Sequence, residues 1–237
     1  MPKTLILVGH PDLVHSGTQT FLKEVATTLT DTTWWDVTTQ PVDTSTQIAR
    51  LQGEMRRYDR LIFQFPLYWY SMPGVFKQWL DTVWTTPFVY GRAGEQPPLA
   101  SKELGLVVTF SQAPDSYRLG GREHFSLSEL MRPLDALAQA AQMTMLPIFP
   151  IAQFAYMTER ERQHLLVTYA QYLSLPARAH FSDRVAWFQQ WLTQNAGQHP
   201  EYAAWAAALQ SQQDELADLH DTLEQMRQDE EQNGRIE

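Results

Sequence analysis

The chain has no cysteine among its 237 residues. Disulfides, iron–sulfur clusters, cysteine zinc sites and thiol nucleophiles are therefore excluded, and any redox role must use a dissociable cofactor. Long apolar runs are also missing. No uncharged stretch reaches the roughly 18 residues of a membrane span, and Met-Pro-Lys followed by Leu-Ile-Leu-Val lacks the apolar core and cleavage site of a signal peptide. A cytoplasmic protein without a transmembrane segment is expected. Positive charge is in deficit: 18 basic residues face 27 acidic ones, and Ser211 to Glu237 holds nine of the acids and two of the bases. The body before that tail is nearly balanced and offers no basic stripe, so nucleic acid is not expected as a partner.

What is present is alternation of apolar runs with helical periodicity. Thr4 to Val8 reads as a central strand stopped by Gly9-His10-Pro11, and Phe21, Leu22, Val25 and Leu29 mark a helical face over 17–29. Trp34 to Val37 is a weaker strand, Ile48, Leu51 and Met55 a second helical face, and Arg60 to Phe65 a third strand stopped by Pro66. A helix from Pro73 to Trp84, a strand from Leu104 to Phe110, a helix from Ser126 to Ala141, an apolar segment from Met143 to Ile151 and a helix from Thr158 to Leu173 follow. Strands separated by helices require crossover connections. This predicts an α/β fold: a mainly parallel, doubly wound sheet with helices on both faces. Pro176 marks a domain edge, giving a body over 1–175 and a helical C-terminal extension over 176–237. In the extension, Val185, Phe188 and Leu192 fit a short amphipathic helix that breaks between Gly197 and Pro200. Tyr202, Trp205, Leu209, Leu216, Leu219, Leu223 and Met226 then approach a seven-residue rhythm, interrupted by Gln212, suited to docking on the body, a second subunit or another protein.

In open α/β sheets ligands occupy the crevice at the carboxyl ends of the strands, so the loops there are read together. The first, Gly9 to Gln19, combines His10 and His15 with Ser16 and Thr18 ahead of a helix, a set that can hold phosphate oxygens or simply cap the helix. It contains neither GxGxxG nor GxxxxGK[ST], which removes the basis for a Rossmann dinucleotide or Walker nucleotide site. The second, Phe65-Pro66-Leu67-Tyr68-Trp69-Tyr70-Ser71-Met72-Pro73, places four aromatics within six positions, enough to wall a planar cofactor or to pack a core. The third starts Thr109-Phe110-Ser111-Gln112, whose polar groups can follow the edge of an isoalloxazine, and continues through Tyr117 and Gly120-Gly121 to His124. Tyr117 and His124 offer neutral acid/base chemistry for a quinone being reduced. His10 and His15 lack a third ligand at metal-site spacing, so no metal is expected.

The segments LILVGHPDLVHSGTQ, LIFQFPLYWYSMPGVFKQWLDTVWTTPFVYG, LGLVVTFSQAPDSYRLGG and MRPLDALAQAAQMTMLPIF, in this order over residues 3 to 175, resemble the flavodoxin-like NAD(P)H:quinone oxidoreductases, nearest the bacterial glutathione-regulated potassium-efflux ancillary branch. The resemblance implies a flavodoxin-like five-stranded sheet in the order 2-1-3-4-5, FMN with FAD as the longer option, and NADPH or NADH as the exchanged hydride donor to flavin N5. It further implies a quinone or similar electrophilic acceptor and a homodimer. By the same resemblance, His10, Ser16, Thr18 and Gln19 meet the flavin phosphate or ribityl chain. Pro66, Leu67, Tyr68, Trp69 and Tyr70 wall the isoalloxazine, Thr109, Phe110, Ser111 and Gln112 follow its polar edge, and Tyr117 and His124 are catalytic. Gln19 stands where the family often has Asn, and Thr109-Phe110-Ser111-Gln112 replaces a glycine-bearing turn. That change, with the long extension, supports an alternative: a catalytically weak flavodoxin-like regulatory subunit that binds a protein partner.

Overall fold

The computed structural model describes residues 1–197 and 200–233. The chain forms two compact units, Met1–Arg178 and Ala179–Glu237. In the first, β1 (Thr4–Val8), β2 (Thr32–Asp36), β3 (Arg60–Pro66), β4 (Glu103–Phe110), β5 (Thr144–Met145) and β6 (Phe149–Ala152) build one sheet. Between and after them run α1 (Gly17–Thr27), α2 (Ser45–Met55), α3 (Gly74–Val83), α4 (Thr86–Tyr90), α5 (Leu127–Leu130), α6 (Arg132–Ala140) and α7 (Glu159–Ser174). Every strand pairing is parallel and the order is β2-β1-β3-β4-β5, with β6 also on β4.

The expected order is therefore present, but its fifth position is divided, making six strands instead of five. β5 pairs with Glu103 and Leu104 and β6 with Val107 to Phe110, and Pro147, which has no N–H to give a ladder, lies between them. The helix expected from Ser126 to Ala141 is likewise broken, at Met131. Pro133 falls in the first turn of α6, where its missing N–H is harmless, whereas in one continuous helix its ring would oppose the carbonyl four residues back. The short α4, which opens on Thr86-Pro87, has no counterpart in the periodicity reading.

Alternation along the strands assigns the faces. Leu5, Leu7, Leu61, Phe63, Phe65, Leu104, Leu106 and Val108 join Leu51, Met55, Phe76, Trp79, Leu80, Phe88, Leu134 and Ala138 in one core. The opposite face carries Thr4, Ile6, Arg60, Ile62, Gln64 and Gly105 and is covered by α1 and α7. Gly105 leaves the space that the Tyr172 ring occupies; a Cβ there would press on the Tyr172 hydroxyl and on Ile62. The Tyr172 hydroxyl donates to the Pro147 carbonyl at 2.9 Å. Arg60, 1% exposed, donates through Nε to Glu103 at 2.7 Å and through its two terminal nitrogens to the carbonyls of Tyr172 (2.5 Å) and Leu175 (2.8 Å). One buried guanidinium thus joins β3, β4 and the last turn of α7, whose carbonyls have no partner within the helix.

The second unit pairs α8 (Phe181–Asn195) with α9 (Pro200–Asn233). Trp187 stacks on Trp191 at 6.5 Å, and Trp191 meets Tyr202 of α9 at 5.6 Å. The later positions of the heptad-spaced seam, Leu216, Leu219, Leu223 and Met226, stay about 60% exposed. The expected helix break between Gly197 and Pro200 includes residues 198–199, and these, like the last four residues of the acidic tail, lie outside the described residues. Among the described residues no helix is long and apolar enough to cross a membrane.

Replacing Arg60 with Ala removes the cation paired with Glu103 and the donors to two helix-end carbonyls. Urea unfolding should show a loss of about 3 to 5 kcal/mol, with an unchanged denaturant slope, and a smaller loss for Arg60→Met, which keeps the buried volume.

Candidate active site

The carboxyl ends of β1, β3 and β4 carry three loops that form one edge of the sheet. Loop one leaves β1 at Gly9, whose N–H donates to the Gln64 carbonyl at 3.0 Å, and a Cβ at Gly9 would overlap the Phe76 ring. His10 accepts the Asp12 N–H through Nδ1 at 3.0 Å, which leaves the ring proton on Nε2 as a donor. Burial holds His10 below its ordinary pKa against the opposing pull of Asp12 and Asp36, so it acts as a neutral donor. His15 is engaged elsewhere: its Nδ1 lies 2.8 and 3.0 Å from the two Asp12 oxygens, and this bond keeps the Asp12 carboxyl below its usual range.

Ser16 caps α1 by accepting the Gln19 N–H at 3.3 Å, which fulfils the capping role the sequence left open. Among the described residues the N–H groups of Gly17 and Thr18 have no acceptor. Gln19 is 1% exposed and turns inward. Its Oε1 accepts from Gln64 Nε2 at 2.6 Å, Gln64 Oε1 accepts from the Tyr169 hydroxyl at 2.7 Å, and Gln19 Nε2 is left buried without a partner. The first turn of α1 thus presents two backbone donors awaiting an acceptor, which suits a phosphate or ribityl oxygen, while the Gln19 side chain faces the core.

Loop two is a tight reversal. Pro66 is buried at the end of β3 and Leu67 half-buried, its N–H donating to the Thr109 carbonyl at 2.8 Å. Tyr68 and Ser71 then exchange backbone hydrogen bonds of 2.9 and 3.1 Å around Trp69 (φ 46°) and Tyr70 (φ 66°). Two consecutive positive φ values are the type I′ pattern, which favours Asn-Gly; here two bulky aromatics occupy it. Left-handed backbone costs about 1 to 2 kcal/mol per ordinary residue, so the turn stores strain. What the strain achieves is presentation: Trp69 is 93% exposed, Tyr68 and Tyr70 nearly half, and the Trp69 and Tyr70 N–H groups have no acceptor. Flat rings and free amides at a strand end fit a planar, polar-edged ring system.

Loop three departs from β4. Thr109 is buried and accepts at its carbonyl from Leu67, while the Phe110 carbonyl accepts the Gln153 N–H at 2.8 Å. Among the described residues the N–H groups of Ser111 and Gln112 have no acceptor, and neither side chain has a hydrogen-bond partner. Phe110 sets its ring edge-on to Tyr117 at 5.1 Å. Tyr117 is held above its usual pKa, first by burial and then by the charge of Glu123, and so keeps its proton. The loop folds back at Gly121, where a Cβ would strike the carbonyls of Asp115 and Ser116, and the Glu123 N–H donates to the Ser116 carbonyl at 3.1 Å. His124 is exposed at φ 62° with a ring that bonds to nothing. Tyr117 and His124 therefore share a loop, but no contact joins them.

Three contributors were absent from the sequence reading. Gln64 does carry a signal, a lone amide inside the apolar run Leu61 to Pro66; Tyr169 sits on an ordinary helical face; Glu123 has no periodic or motif signature. Glu123 accepts from the Tyr70 hydroxyl at 3.0 Å and so spans loops two and three.

Two outcomes follow from this geometry. Trp69→Gly relieves a left-handed position, so urea unfolding should show no loss of stability, the relief offsetting glycine's entropic cost of about 1 kcal/mol, while planar-ligand affinity falls at least tenfold. For His10, the folded-state pKa lies below 6.5, so the unfolded chain binds more protons in the interval between the two values. Stability from this group is full above about pH 6.5 and is lost as the pH falls through the folded value. A histidine proton titration by NMR should place the His10 midpoint below that of His10 in a short unfolded peptide of the same sequence.

The family model described as flavodoxin-like fold matches residues 2–173. The chain is 37% identical over 147 residues to the uncharacterized NAD(P)H oxidoreductase YdeQ of Bacillus subtilis, covering 62% of this chain and 74% of that one. A crystal structure of an NADPH-quinone reductase from P. pentosaceus superposes with a TM-score of 0.67 at 40% identity, over 73% of this chain and 99% of that one. General stress protein 14 of Treponema denticola, solved in complex with FMN, gives a TM-score of 0.60 at 25% identity, over 88% of this chain and 99% of that one. On its strand order, its three-loop crevice and these likenesses, the chain belongs to the flavodoxin-like family that includes NAD(P)H oxidoreductases and quinone reductases.

Proposed function

We propose that this chain is a flavin-dependent NAD(P)H oxidoreductase that delivers two electrons to a quinone or similar electrophilic acceptor, with noncovalent FMN as cofactor. The observation that carries this reading is the meeting, at one sheet edge, of unpaired first-turn donors on α1, a strained turn presenting Trp69 and Tyr70, and a loop holding a protonated Tyr117. FMN is preferred to FAD on the relative solved with FMN. The flavin supplies hydride acceptance from NADPH or NADH and two-electron delivery to the acceptor, chemistry that no side chain offers.

The chain's own residues bind and orient. Gly17 and Thr18 N–H, the Ser16 and Thr18 hydroxyls and His10 Nε2 hold the phosphate and ribityl oxygens, and Gln19, buried beneath them against Gln64, supports this turn from the core side. The segment Pro66 to Tyr70 walls the ring, with Trp69 and Tyr70 N–H toward its polar edge, and Thr109, Phe110, Ser111 and Gln112 line the other side. Tyr117 donates a hydrogen bond to the oxygen that gains charge as the acceptor is reduced, with His124 exchanging the proton with solvent. The narrower placement nearest the potassium-efflux ancillary branch is carried with this proposal, since identity does not single out that branch over other oxidoreductases. The proposed setting is the cytoplasm. The proposed assembly is a homodimer formed by the body over 1–175, with the extension over 176–237 as a docking or partner segment.

A second reading, a catalytically weak subunit that binds another protein, is favoured by one feature, the exposed run of Leu216, Leu219, Leu223 and Met226. Denaturing release and mass measurement, followed by anaerobic spectra with NADH and NADPH, separate the two. FMN of intact mass, rapidly bleached by NAD(P)H and reoxidised by quinone, is expected; tight partner binding with no turnover selects the second reading. Tyr117→Phe and His124→Gln should retain flavin while slowing a half-reaction by about 10²-fold or more, read by stopped flow. Light scattering should find the full chain dimeric, and still dimeric when ended near Pro176.

A further inference from the structure

Among the described residues, the Tyr70–Glu123 bond is the one side-chain hydrogen bond between the aromatic turn and the loop of Tyr117, and its surroundings fix it closely. Glu123 is 13% exposed. Its backbone is pinned by the N–H bond to Ser116, which is itself buried, and by the fold-back that only glycine permits at 121. Tyr70 is pinned from the other side by the Tyr68–Ser71 reversal. The charged and titratable groups around the carboxylate are Tyr70, Tyr117 and Arg122, whose Nε is 3.8 Å away. Each partner sits on a rigid turn, so the hydrogen bond sets the separation of the two turns.

We propose that Glu123 is a positioning residue that fixes the width of the slot between the Trp69-Tyr70 turn and the Tyr117 loop, and so selects flat, ring-shaped acceptors. The inference rests on the reductase reading given above. Two devices converge on it. The bond fixes the Tyr70 ring against the Tyr117 loop, where it would otherwise be free to turn. The carboxylate also raises the pKa of Tyr70, chiefly through the hydrogen bond it accepts, and contributes to the rise at Tyr117, so both phenols stay neutral beside a reacting ring.

The test uses the full chain with Glu123→Gln, Glu123→Ala, Tyr70→Phe and the Glu123→Ala/Tyr70→Phe double variant. The first readout needs no flavin: ultraviolet titration of tyrosinate. Tyrosine should ionise at lower pH in both Glu123 variants, and the larger part of that change, the part from the hydrogen-bonded phenol, should vanish when Tyr70 is Phe, leaving only the smaller effect on Tyr117. The second readout is steady-state kinetics with a planar naphthoquinone. Glu123→Ala and Tyr70→Phe should each raise KM about tenfold with kcat changed less than threefold, the double variant should match the singles, and Glu123→Gln, which still accepts from the phenol, should restore KM to within about twofold. A tyrosine titration that ignores Glu123 would overturn the inference, as would additive KM effects or a Gln variant no better than Ala. A wild-type chain that binds no flavin, or shows no NAD(P)H turnover while the titration shifts as described, would overturn the reductase reading and the acceptor role with it, and would leave the Tyr70–Glu123 bond standing as a loop tie alone.

Discussion

Strand β3 is bonded along its length on both sides and carries two buried polar side chains, Arg60 and Gln64, four residues apart on the same face. The remaining architecture depends on satisfying those two groups. At the amino end the guanidinium closes the last turn of α7 and pairs with Glu103; at the carboxyl end the amide joins Tyr169 of the same helix to Gln19 of α1. A buried polar group left unmatched costs about 1 to 3 kcal/mol, and more when charged. The register of α7 against the sheet is therefore specified at two points, which apolar contacts alone would leave free to slide. The upper of these points lies directly beneath loop one, where the Gln64 backbone carbonyl also receives Gly9. A structural requirement of the core thereby positions the amino end of α1.

Rigidity below contrasts with strain above. The Trp69-Tyr70 turn places two bulky residues where glycine and asparagine are the stable choices, and nothing in the core requires it, since neither ring is part of the core. Strain retained at a crevice while the scaffold is over-determined is the pattern of a preorganised site. The turn must then be held from outside as well as by its own hydrogen bonds. Leu67 supplies one anchor through Thr109 and Tyr70 the other through Glu123, so both flanks of the reversal are tied to the strand β4 and the loop that leaves it.

Legibility in the sequence followed the physical range of each signal. Strands β1, β3 and β4 are buried on both faces and read as continuous apolar runs, so their place was recoverable, whereas their order in the sheet came only with the family resemblance. Boundaries set by single residues were harder: Pro133 divides a helix whose apolar spacing is unbroken, and Pro147 divides a strand. The loops were recognisable as ligand-facing from composition, yet composition does not say which way a side chain turns. Gln19 and the hydroxyl of Ser16 show this, the first directed into the core and the second engaged as a cap. Glu123 illustrates the limit. Its importance arises from a fold-back at Gly121 and from a partner 53 positions away, neither of which leaves a local pattern.

The charge layout follows a single logic. The chain is acidic overall, but the groups facing the crevice are neutral hydrogen-bond donors: His10 through lowered basicity, and Tyr70 and Tyr117 through raised phenolic pKa values. Fixed cations there would bind anions tightly in every state, raising affinity for the resting ligand as much as for the reacting one. Neutral donors in a partly desolvated site interact weakly with a neutral ring and strongly once charge develops on its oxygens, which is the differential that accelerates a reaction. The acidic partners that keep these phenols protonated are thus part of the same device as the phenols themselves. Glu123 acts here twice, once by geometry and once by charge, whereas in loop one Asp12 contributes through geometry, its backbone N–H setting the His10 tautomer while its carboxylate engages His15.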